Sequence, residues 1–472
     1  MPGELLIAAG PGEWRAALLE GGIPVELFVE RGDRSEAGSI HLGRVRRLVP
    51  ALGAALVDIG GDRAAFLPLN EVLPRGRRLD EGESMVLQVS REPQGGKAAR
   101  VTTRIALRGR LIELRLGRPG LVGGETFTLE ERIRLLSAVE ACPPSPHPPA
   151  DAGPSLPRVH GGGSGWGLKL REPAPVKALA AEATDLLGRC RDILDRASRL
   201  APPARLNPPA TFAAALAGAL PAAPGRILVD DPAAIPELRS ALPDASMQHS
   251  PEAEWSIDLD AVFDQALSGT VALADSGYVH FDPARAAIMI DVDSGTPETG
   301  SPERTGLAVN LAAAGAIARH IRLRNLGGGI VIDFVGLDDH RLRGRIRDAL
   351  AEALAPDPAR PQILGWTRLG HLELVRPRRG RSLGEILLEP RPGGPLAKTA
   401  VTVAHEALRA LRREARAQPG RRWRLTIAPV VAAALAGGAA TALHALEQRF
   451  GRTVAIATDP GLDRDRFQVA PA

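Results

Sequence analysis

The chain has 472 residues, of which 44% are hydrophobic and 24% are charged. This composition is that of an ordinary globular protein and excludes a wholly disordered or fibrous chain, and the length predicts roughly three domains. The 59 basic and 55 acidic residues leave a net charge of only +4, and the two cysteines, Cys142 and Cys190, argue against a disulfide framework or a cysteine-based zinc site. A reduced, cytoplasmic setting is the natural interpretation.

The first quarter of the chain is predicted to consist of short strands. Apolar residues at 5–7 and 23–30 favour two strands joined by a turn. From Gly38 to about Leu116, some five further short strands follow, punctuated by Gly and Pro. Short strands at this spacing favour a small closed β-barrel over a helical domain.

The next segment is predicted to be helical, with one interruption. Helices are expected over 128–141, over 176–200 and again from about Thr211. Residues 143–163 are rich in Pro and Gly and show no apolar periodicity, so we expect a flexible insertion loop there.

The second half of the chain is predicted to be α/β. Apolar runs at 287–292 and 330–335 are typical of buried strands, and the segment between them, 309–323, has helical spacing. The last stretch, about 396–472, alternates helices and strands and is expected to form a separate lobe. No apolar run is long enough to span a membrane, and no basic segment typical of a signal peptide precedes the first apolar run.

Arginine dominates the basic residues, because only four of the 59 are lysines. This bias can reflect phosphate binding by guanidinium groups or simply genome composition. The arginines cluster at 44–47, 319–324, 376–381 and 412–424. We expect a solvated helix face at 412–424, whereas a track for polyphosphate competes with that interpretation in the first two clusters. Phe66 lies in the predicted barrel, where it could stack on bases or belong to the core.

Two of the predicted buried strands each carry a carboxylate after their apolar residues, Asp291 and Asp333. A charged group in such a run is costly unless it is ion-paired, hydrogen-bonded or bound to a metal. A lone acid there is most simply explained by an arginine partner, but two acids on strands joined by a crossover helix could converge. Paired carboxylate oxygens suit Mg²⁺, and Asp293 lies on the same strand face as Asp291 and could add a third ligand.

Several segments resemble the ribonuclease E/G family. The matching segments are 38–45, 54–60, 65–68 and 97–103 in the barrel, 276–295 and 310–334 in the second half, and 450–452 and 465–469 near the C-terminus. The resemblance is strongest over 290–334. Because no long tail follows the catalytic segments, we expect the shorter of the family's two forms.

The resemblance implies a multi-domain α/β fold with a ribonuclease-H-like lobe, an inserted OB-type β-barrel, a catalytic α/β lobe and a small C-terminal α/β lobe. The expected boundaries are 1–37 and 206–265 for the two parts of the ribonuclease-H-like lobe, 38–118 for the barrel, 119–205 for a sensor-like region, 266–390 for the catalytic domain and 391–472 for the small domain.

The resemblance further implies an Mg²⁺-dependent endoribonuclease that hydrolyses single-stranded RNA, ribosomal RNA included, and leaves 5′-phosphate and 3′-hydroxyl ends. Asp291 and Asp333 fall on the family's catalytic, metal-binding acids, and Asp293 is expected to join them as a metal ligand. The residues expected to bind RNA or its 5′-phosphate are Phe66, Lys97, Arg100 and Arg44 for the RNA chain, and Arg171 for the 5′-phosphate.

Some positions depart from the family pattern. Asp293 replaces a usual Asn, Leu56 replaces an aromatic residue of the barrel, and Glu172 stands where Thr is usual. A carboxylate repels phosphate, so we expect weakened sensing of the RNA 5′-end. The cysteine pair that links family subunits through zinc is absent, with 388–392 in its place; a homodimer, if formed, would lack that link.

Two alternatives from other functional classes remain at this point. One is an RNA-binding protein of the same fold with weak or no cleavage activity, because several RNA-contact positions differ. Retention of both metal-binding acids argues against it, since a binding module has no need to bury them. The other is an Mg²⁺-dependent sugar-phosphate enzyme, which the resemblance of the barrel disfavours.

Overall fold

The computed structural model describes most of the chain. The described residues are 3–31, 37–61, 63–93, 98–125, 127–140, 165–171, 173–208, 211–220, 224–274, 277–284, 286–295, 302–336, 339–391, 394 and 396–472. Cys142, Lys97, Glu172 and the expected insertion loop at 143–163 therefore lie outside the described residues, whereas Cys190 is buried.

The helices include those predicted from the sequence, together with four others. They are α1 (Leu129–Glu140), α2 (Val176–Arg199), α3 (Phe212–Ala219), α4 (Ile235–Ala241), α5 (Leu259–Leu267), α6 (Pro302–Leu323), α7 (His340–Leu354), α8 (Leu383–Leu387), α9 (Ala400–Ala417), α10 (Pro429–Ala436) and α11 (Ala440–Phe450). Helices α4, α5, α7 and α8 were not predicted. Within the described ranges, no single helix is long and apolar enough to cross a membrane; α10 and α11 reach that threshold only when combined across a 79° bend.

The strands are more numerous than the sequence indicated. In the first half they are β1 (Glu4–Ala9), β2 (Glu13–Glu20), β3 (Ile23–Arg31), β4 (Ile40–Val49), β5 (Ala54–Asp58), β6 (Ala65–Pro68), β7 (Ser84–Arg91), β8 (Arg100–Thr102), β9 (Ala106–Arg108), β10 (Ile112–Leu116), β11 (Gly120–Val122), β12 (Trp166–Leu170), β13 (Ala204–Arg205), β14 (Arg226–Val229) and β15 (Ser246–His249). In the second half they are β16 (Thr270–Ala272), β17 (Tyr278–Pro283), β18 (Ile288–Asp293), β19 (Gly328–Asp333), β20 (Gln362–Trp366), β21 (Leu372–Arg376), β22 (Leu388–Glu389), β23 (Ala397–Lys398), β24 (Trp423–Ile427), β25 (Ala455–Thr458) and β26 (Phe467–Pro471).

The chain divides into two units. The first unit combines Met1–Gly32 with Phe212–Ala472, and the second comprises Asp33–Thr211. The second unit contains the predicted barrel: strands β4, β5, β6, β8 and β7 pair in that order, and β7 pairs back to β4 to close it. Strands β9 and β10, which the sequence placed in the barrel segment, instead pair with β11 and β12 in a separate sheet. Strand β13, which comes much later in the sequence, joins the barrel sheet by pairing with β4.

The first unit contains three larger sheets. One has the strand order β15-β14-β1-β2-β3, so strands that precede the barrel in the sequence pair with strands that follow it. The second has the order β16-β17-β18-β19-β21-β20, and α6 and α7 pack on one of its faces around Ile290, Ile317, Ile332 and Leu350. The third has the order β25-β24-β26, with α9, α10 and α11 packed against it. Residues from 403 to 454 form a buried cluster of their own there, and a separate lobe over 396–472 stays a prediction.

Strand β2 carries an unexpected buried cluster of charges. Glu13 accepts hydrogen bonds from Arg15 at 2.9 Å and from Arg31 at 2.6 Å, and it also pairs with Arg409 of α9. Arg15 and Arg409 each donate to Asp260 of α5 at 3.2 Å. We call these five residues the ion cluster. Burial by itself would raise the pKa of Glu13, but the surrounding guanidinium groups outweigh it and hold the pKa well below its usual range.

The arginine clusters of the second half correct two expectations. In the 412–424 cluster the expected solvated face is wrong only at Arg412, which is buried against Asp230 and Glu252, whereas the other five arginines of that cluster are exposed. In the 319–324 cluster a polyphosphate track is also wrong at Arg322 and Arg324, which are both buried, whereas Arg319 is exposed. Arg322 donates to Glu20 and Glu26 at 2.7 and 2.8 Å. These guanidinium groups hold elements of the fold together.

Candidate active site

Asp291 and Asp333 lie side by side on two adjacent parallel strands, near the C-terminal end of one and at that of the other. Strand β18 pairs with β19 in parallel, and the register sets Asp291 directly beside Asp333. Directly paired residues project from the same face of a sheet, because side chains alternate along both strands. The two carboxylates predicted to converge are therefore neighbours, and we call them the aspartate pair.

The aspartate pair projects from the face of the sheet opposite α6 and α7. Ile290, Val292 and Ile332 are buried on the helix side, whereas Asp291 and Asp333 are exposed. The expectation that these acids are buried is therefore wrong: the strands are half-buried, and the acids lie on their open face. Exposed carboxylates keep their hydration, which lowers the cost of holding two like charges side by side.

Asp293 lies two residues further along β18, on the same open face and also exposed. Its Oδ1 accepts a hydrogen bond from the backbone N–H of Gly295 at 2.9 Å, and its partner across the sheet is Tyr278. Among the residues that the structure describes, no three His, Cys, Asp or Glu side chains are grouped closely enough to hold a metal ion. The role of Asp293 as a third ligand stays a prediction.

Two histidines flank the aspartate pair, and sequence reasoning missed both. His280 of β17 is the cross-strand partner of Asp291. On the other side, Nε2 of His371 lies 3.6 Å from Oδ2 of Asp333. The row His280–Asp291–Asp333–His371 thus crosses four neighbouring strands or strand ends. Neither histidine has a spacing that signals a site, because the row depends on strand pairing between residues that are far apart in sequence.

The barrel of the second unit carries the candidate RNA-binding residues. Phe66 of β6 is half-buried and lies outside the buried barrel core, so the interpretation of Phe66 as a core residue is disfavoured. Its neighbours on the adjoining strands are Leu56 and Arg100. Leu56 in turn pairs with Arg47. An aromatic ring with one arginine beside it and a second arginine one strand further away is suited to a strand of RNA.

The remaining candidates on this unit are placed as follows. Arg44 is exposed and lies across from Asp58, which pairs with Arg46 at 2.7 Å. Arg100 lies 3.8 Å from Glu71. Arg171, the predicted 5′-phosphate contact, is exposed, and its guanidinium donates to the backbone carbonyl of Gly109.

Comparison with known proteins identifies the family. Residues 170–379 match the model of the ribonuclease E/G family. The chain is 30% identical to ribonuclease G of Salmonella typhimurium and 29% identical to ribonuclease G of Escherichia coli K12. Each alignment is 507 positions long, gaps included, and covers 99% of both proteins. It is also 30% identical to ribonuclease E of Escherichia coli K12, over 81% of this chain but 37% of that protein. The full-length matches confirm the predicted likeness to the shorter form, and the chain belongs to the ribonuclease E/G family.

Proposed function

We propose that this protein is an Mg²⁺-dependent endoribonuclease that hydrolyses single-stranded RNA to 5′-phosphate and 3′-hydroxyl ends. The observation that carries the proposal is the register of the aspartate pair, which sets two exposed carboxylates side by side on neighbouring parallel strands. Membership of the ribonuclease E/G family supports an endoribonuclease in RNA processing or decay.

The donor set of the aspartate pair fits Mg²⁺. This ion prefers hard oxygen ligands and keeps several waters, so it commonly binds through one or two carboxylates together with phosphate oxygens of the substrate. Asp291 and Asp333 provide two such carboxylates on an open surface that RNA can reach. When bound there, Mg²⁺ would polarise the scissile phosphate and activate a water molecule.

Residues of the barrel segment bind the RNA in this proposal. Phe66 stacks on a base, and Arg44 and Arg100 neutralise phosphates, with Lys97 in the same role. Glu71 lies near Arg100 and competes for its charge. With Leu56 in place of an aromatic ring, we expect this surface to bind RNA through one stacked base and several arginine contacts.

The rival interpretation is an RNA-binding protein that does not cleave. In such a protein the aspartate pair would carry an energetic cost. Two like charges facing each other on adjacent strands destabilise a sheet. The aspartate pair also lies where an RNA phosphate would be repelled unless a cation intervened. Binding alone therefore gives no reason for this arrangement, whereas metal-assisted hydrolysis does.

The proposal is tested by cleavage of a 5′-labelled single-stranded RNA in the presence of Mg²⁺, with analysis of the product ends. We expect Asp291→Asn and Asp333→Asn each to lower kcat/KM by about 100-fold or more without weakening RNA binding. The matched control is Asp348→Asn on α7, which removes an exposed carboxylate from the opposite side of the sheet. Cleavage by the chelator-treated double variant would contradict the proposal.

A further inference from the structure

We propose that Tyr278 and His280 form a nucleobase subsite beside the aspartate pair, which receives a base next to the scissile phosphate. This inference rests on the proposed function, since it places RNA on the open face of the sheet. Both residues belong to β17, two positions apart, so their side chains project from the same face. We call this pair of rings the ring platform.

The register fixes the ring platform next to the candidate catalytic acids. His280 pairs with Asp291, and Tyr278 pairs with Asp293 on the adjacent strand. Opposed side chains in an antiparallel pair have Cβ atoms only about 5 Å apart. A nucleotide whose phosphate lies at the aspartate pair therefore has its own base, or the next one, within reach of the ring platform.

The two rings are arranged as a surface and are not hidden in the core. Their centroids are 6.3 Å apart and their planes are tilted by 32°. Tyr278 is 45% exposed although it is a large aromatic residue on a strand of the sheet. The chain contains no other tyrosine. A half-exposed aromatic ring is a platform on which any base can stack.

One ring of the platform is held in position from the edge of the sheet. Nδ1 of His280 lies 3.0 Å from Oγ1 of Thr270, its cross-strand partner on β16. This contact restricts rotation of the imidazole, so less conformational entropy is lost when a base packs against it. The ring beside it, Tyr278, then rests on a neighbour that is already ordered.

The charges around the ring platform favour a base over a phosphate. Asp291 and Asp293 lie across from it, and Asp282 follows on the same strand, exposed. Carboxylates repel phosphate groups, whereas they do not oppose an uncharged base and can accept hydrogen bonds from its amino group. A nucleobase is the part of an RNA chain that suits this position.

The experiment measures base stacking directly. The RNA is a single-stranded oligonucleotide whose cleavage position has been mapped, with the fluorescent base 2-aminopurine placed in turn at the two nucleotides on each side of that bond. The protein carries Asp333→Asn, which prevents cleavage in the proposed mechanism and lies one strand beyond Asp291 from the ring platform. We expect quenching at one of these positions, retained in Tyr278→Phe and lost in Tyr278→Ala.

In the cleavage-competent protein, Tyr278→Ala is expected to raise KM by about fivefold or more, because base stacking on an aromatic side chain is worth about 1–3 kcal/mol. Tyr278→Phe should restore the KM. The matched control is Val375→Ala, which truncates another exposed apolar side chain of the same sheet, on β21. Circular dichroism would verify that each variant is folded.

The outcomes separate this inference from the proposed function. If Tyr278→Ala leaves both the quenching pattern and the KM unchanged while Asp333→Asn abolishes cleavage, the ring platform is refuted and the nuclease stands. If Asp333→Asn still cleaves, the proposed function fails whatever the fluorescence shows. Equal effects of Tyr278→Ala and Val375→Ala would also refute a specific base subsite.

Discussion

Carboxylates have opposite environments in two regions of the first unit. In the ion cluster, Glu13 is 2% exposed and has three guanidinium partners, one of them on a helix almost 400 residues away in sequence. In the aspartate pair, Asp291 and Asp333 are exposed, and within the described part of the chain neither forms an ion pair with Arg or Lys. The first arrangement neutralises the charge of Glu13, whereas the second leaves the charges of Asp291 and Asp333 available to a ligand.

This difference separates residues that stabilise the fold from residues that are available for chemistry. A buried carboxylate is tolerated only with partners, so its substitution leaves the partners unpaired in a dry environment. Two exposed like charges contribute nothing favourable to folding, so their presence points to a ligand of opposite charge. The comparison also explains part of the arginine content: the buried arginines of α6 and α9 are structural partners of acids.

The largest effect on stability is expected at the ion cluster. Glu13→Gln removes the negative charge that compensates Arg15, Arg31 and Arg409, and leaves three buried guanidinium groups close together. We expect the free energy of unfolding of the first unit to fall by about 3–5 kcal/mol. Urea denaturation followed by tryptophan fluorescence would measure it. The control is Asp348→Asn, which breaks an exposed pair with Arg347 in the same unit and should cost less than about 0.5 kcal/mol. Equal losses would contradict the assigned role of the cluster.

A smaller effect, with a characteristic pH dependence, is expected at Asp260. Burial would raise its pKa, but Arg409, Arg15 and Arg413 lower the pKa to about 2 from an ordinary 3.8. A carboxyl group with a lowered pKa in the folded state stabilises that state above pH 4, and the benefit disappears as the pH falls toward 2. We therefore expect Asp260→Asn to cost about 2 kcal/mol at pH 7 and to approach wild-type stability near pH 2. A difference that stayed constant with pH would count against this explanation.

The smallest effect on stability is expected at the aspartate pair, although its effect on cleavage is large. Asp291→Asn removes a like charge beside Asp333, so in the presence of a chelator the free energy of unfolding should stay within about 0.5 kcal/mol of wild type or rise slightly. Urea denaturation in EDTA would measure it. A loss as large as that of Glu13→Gln would mean that the carboxylate is structural and that the contrast between the two regions fails.

The sequence predicted that Asp291 and Asp333 lie close together because the pattern that implies it is simple. Two apolar runs that each contain an acid, with a helix between them, imply neighbouring parallel strands with acids at similar depth, and the register places the two acids side by side. His280, His371 and Tyr278 were missed because their positions follow from antiparallel pairing between strands, which the sequence does not specify. Burial was misjudged, since an apolar run of this length does not reveal that one face of its strand is open.

The fold was predicted best where residue patterns are strong. Helix α1 begins at Leu129 and α2 spans Val176–Arg199, as the helical spacing indicated. Strand β2 was not anticipated, because a segment rich in Ala and Leu has little β propensity; it forms because β1 and β3 pair with it on both sides. The ion cluster was likewise invisible, since it joins residues from β2, β3, α5 and α9.

The most direct test of the central claim is the binding of Mn²⁺, used as a probe for Mg²⁺, to the chelator-treated protein without RNA. Electron paramagnetic resonance of free Mn²⁺ during titration gives the affinity. We predict that wild type and Asp348→Asn bind Mn²⁺ equally, and that Asp291→Asn and Asp333→Asn each bind it at least about tenfold more weakly. Unchanged Mn²⁺ affinity in the Asp291→Asn, Asp333→Asn double variant would contradict the account.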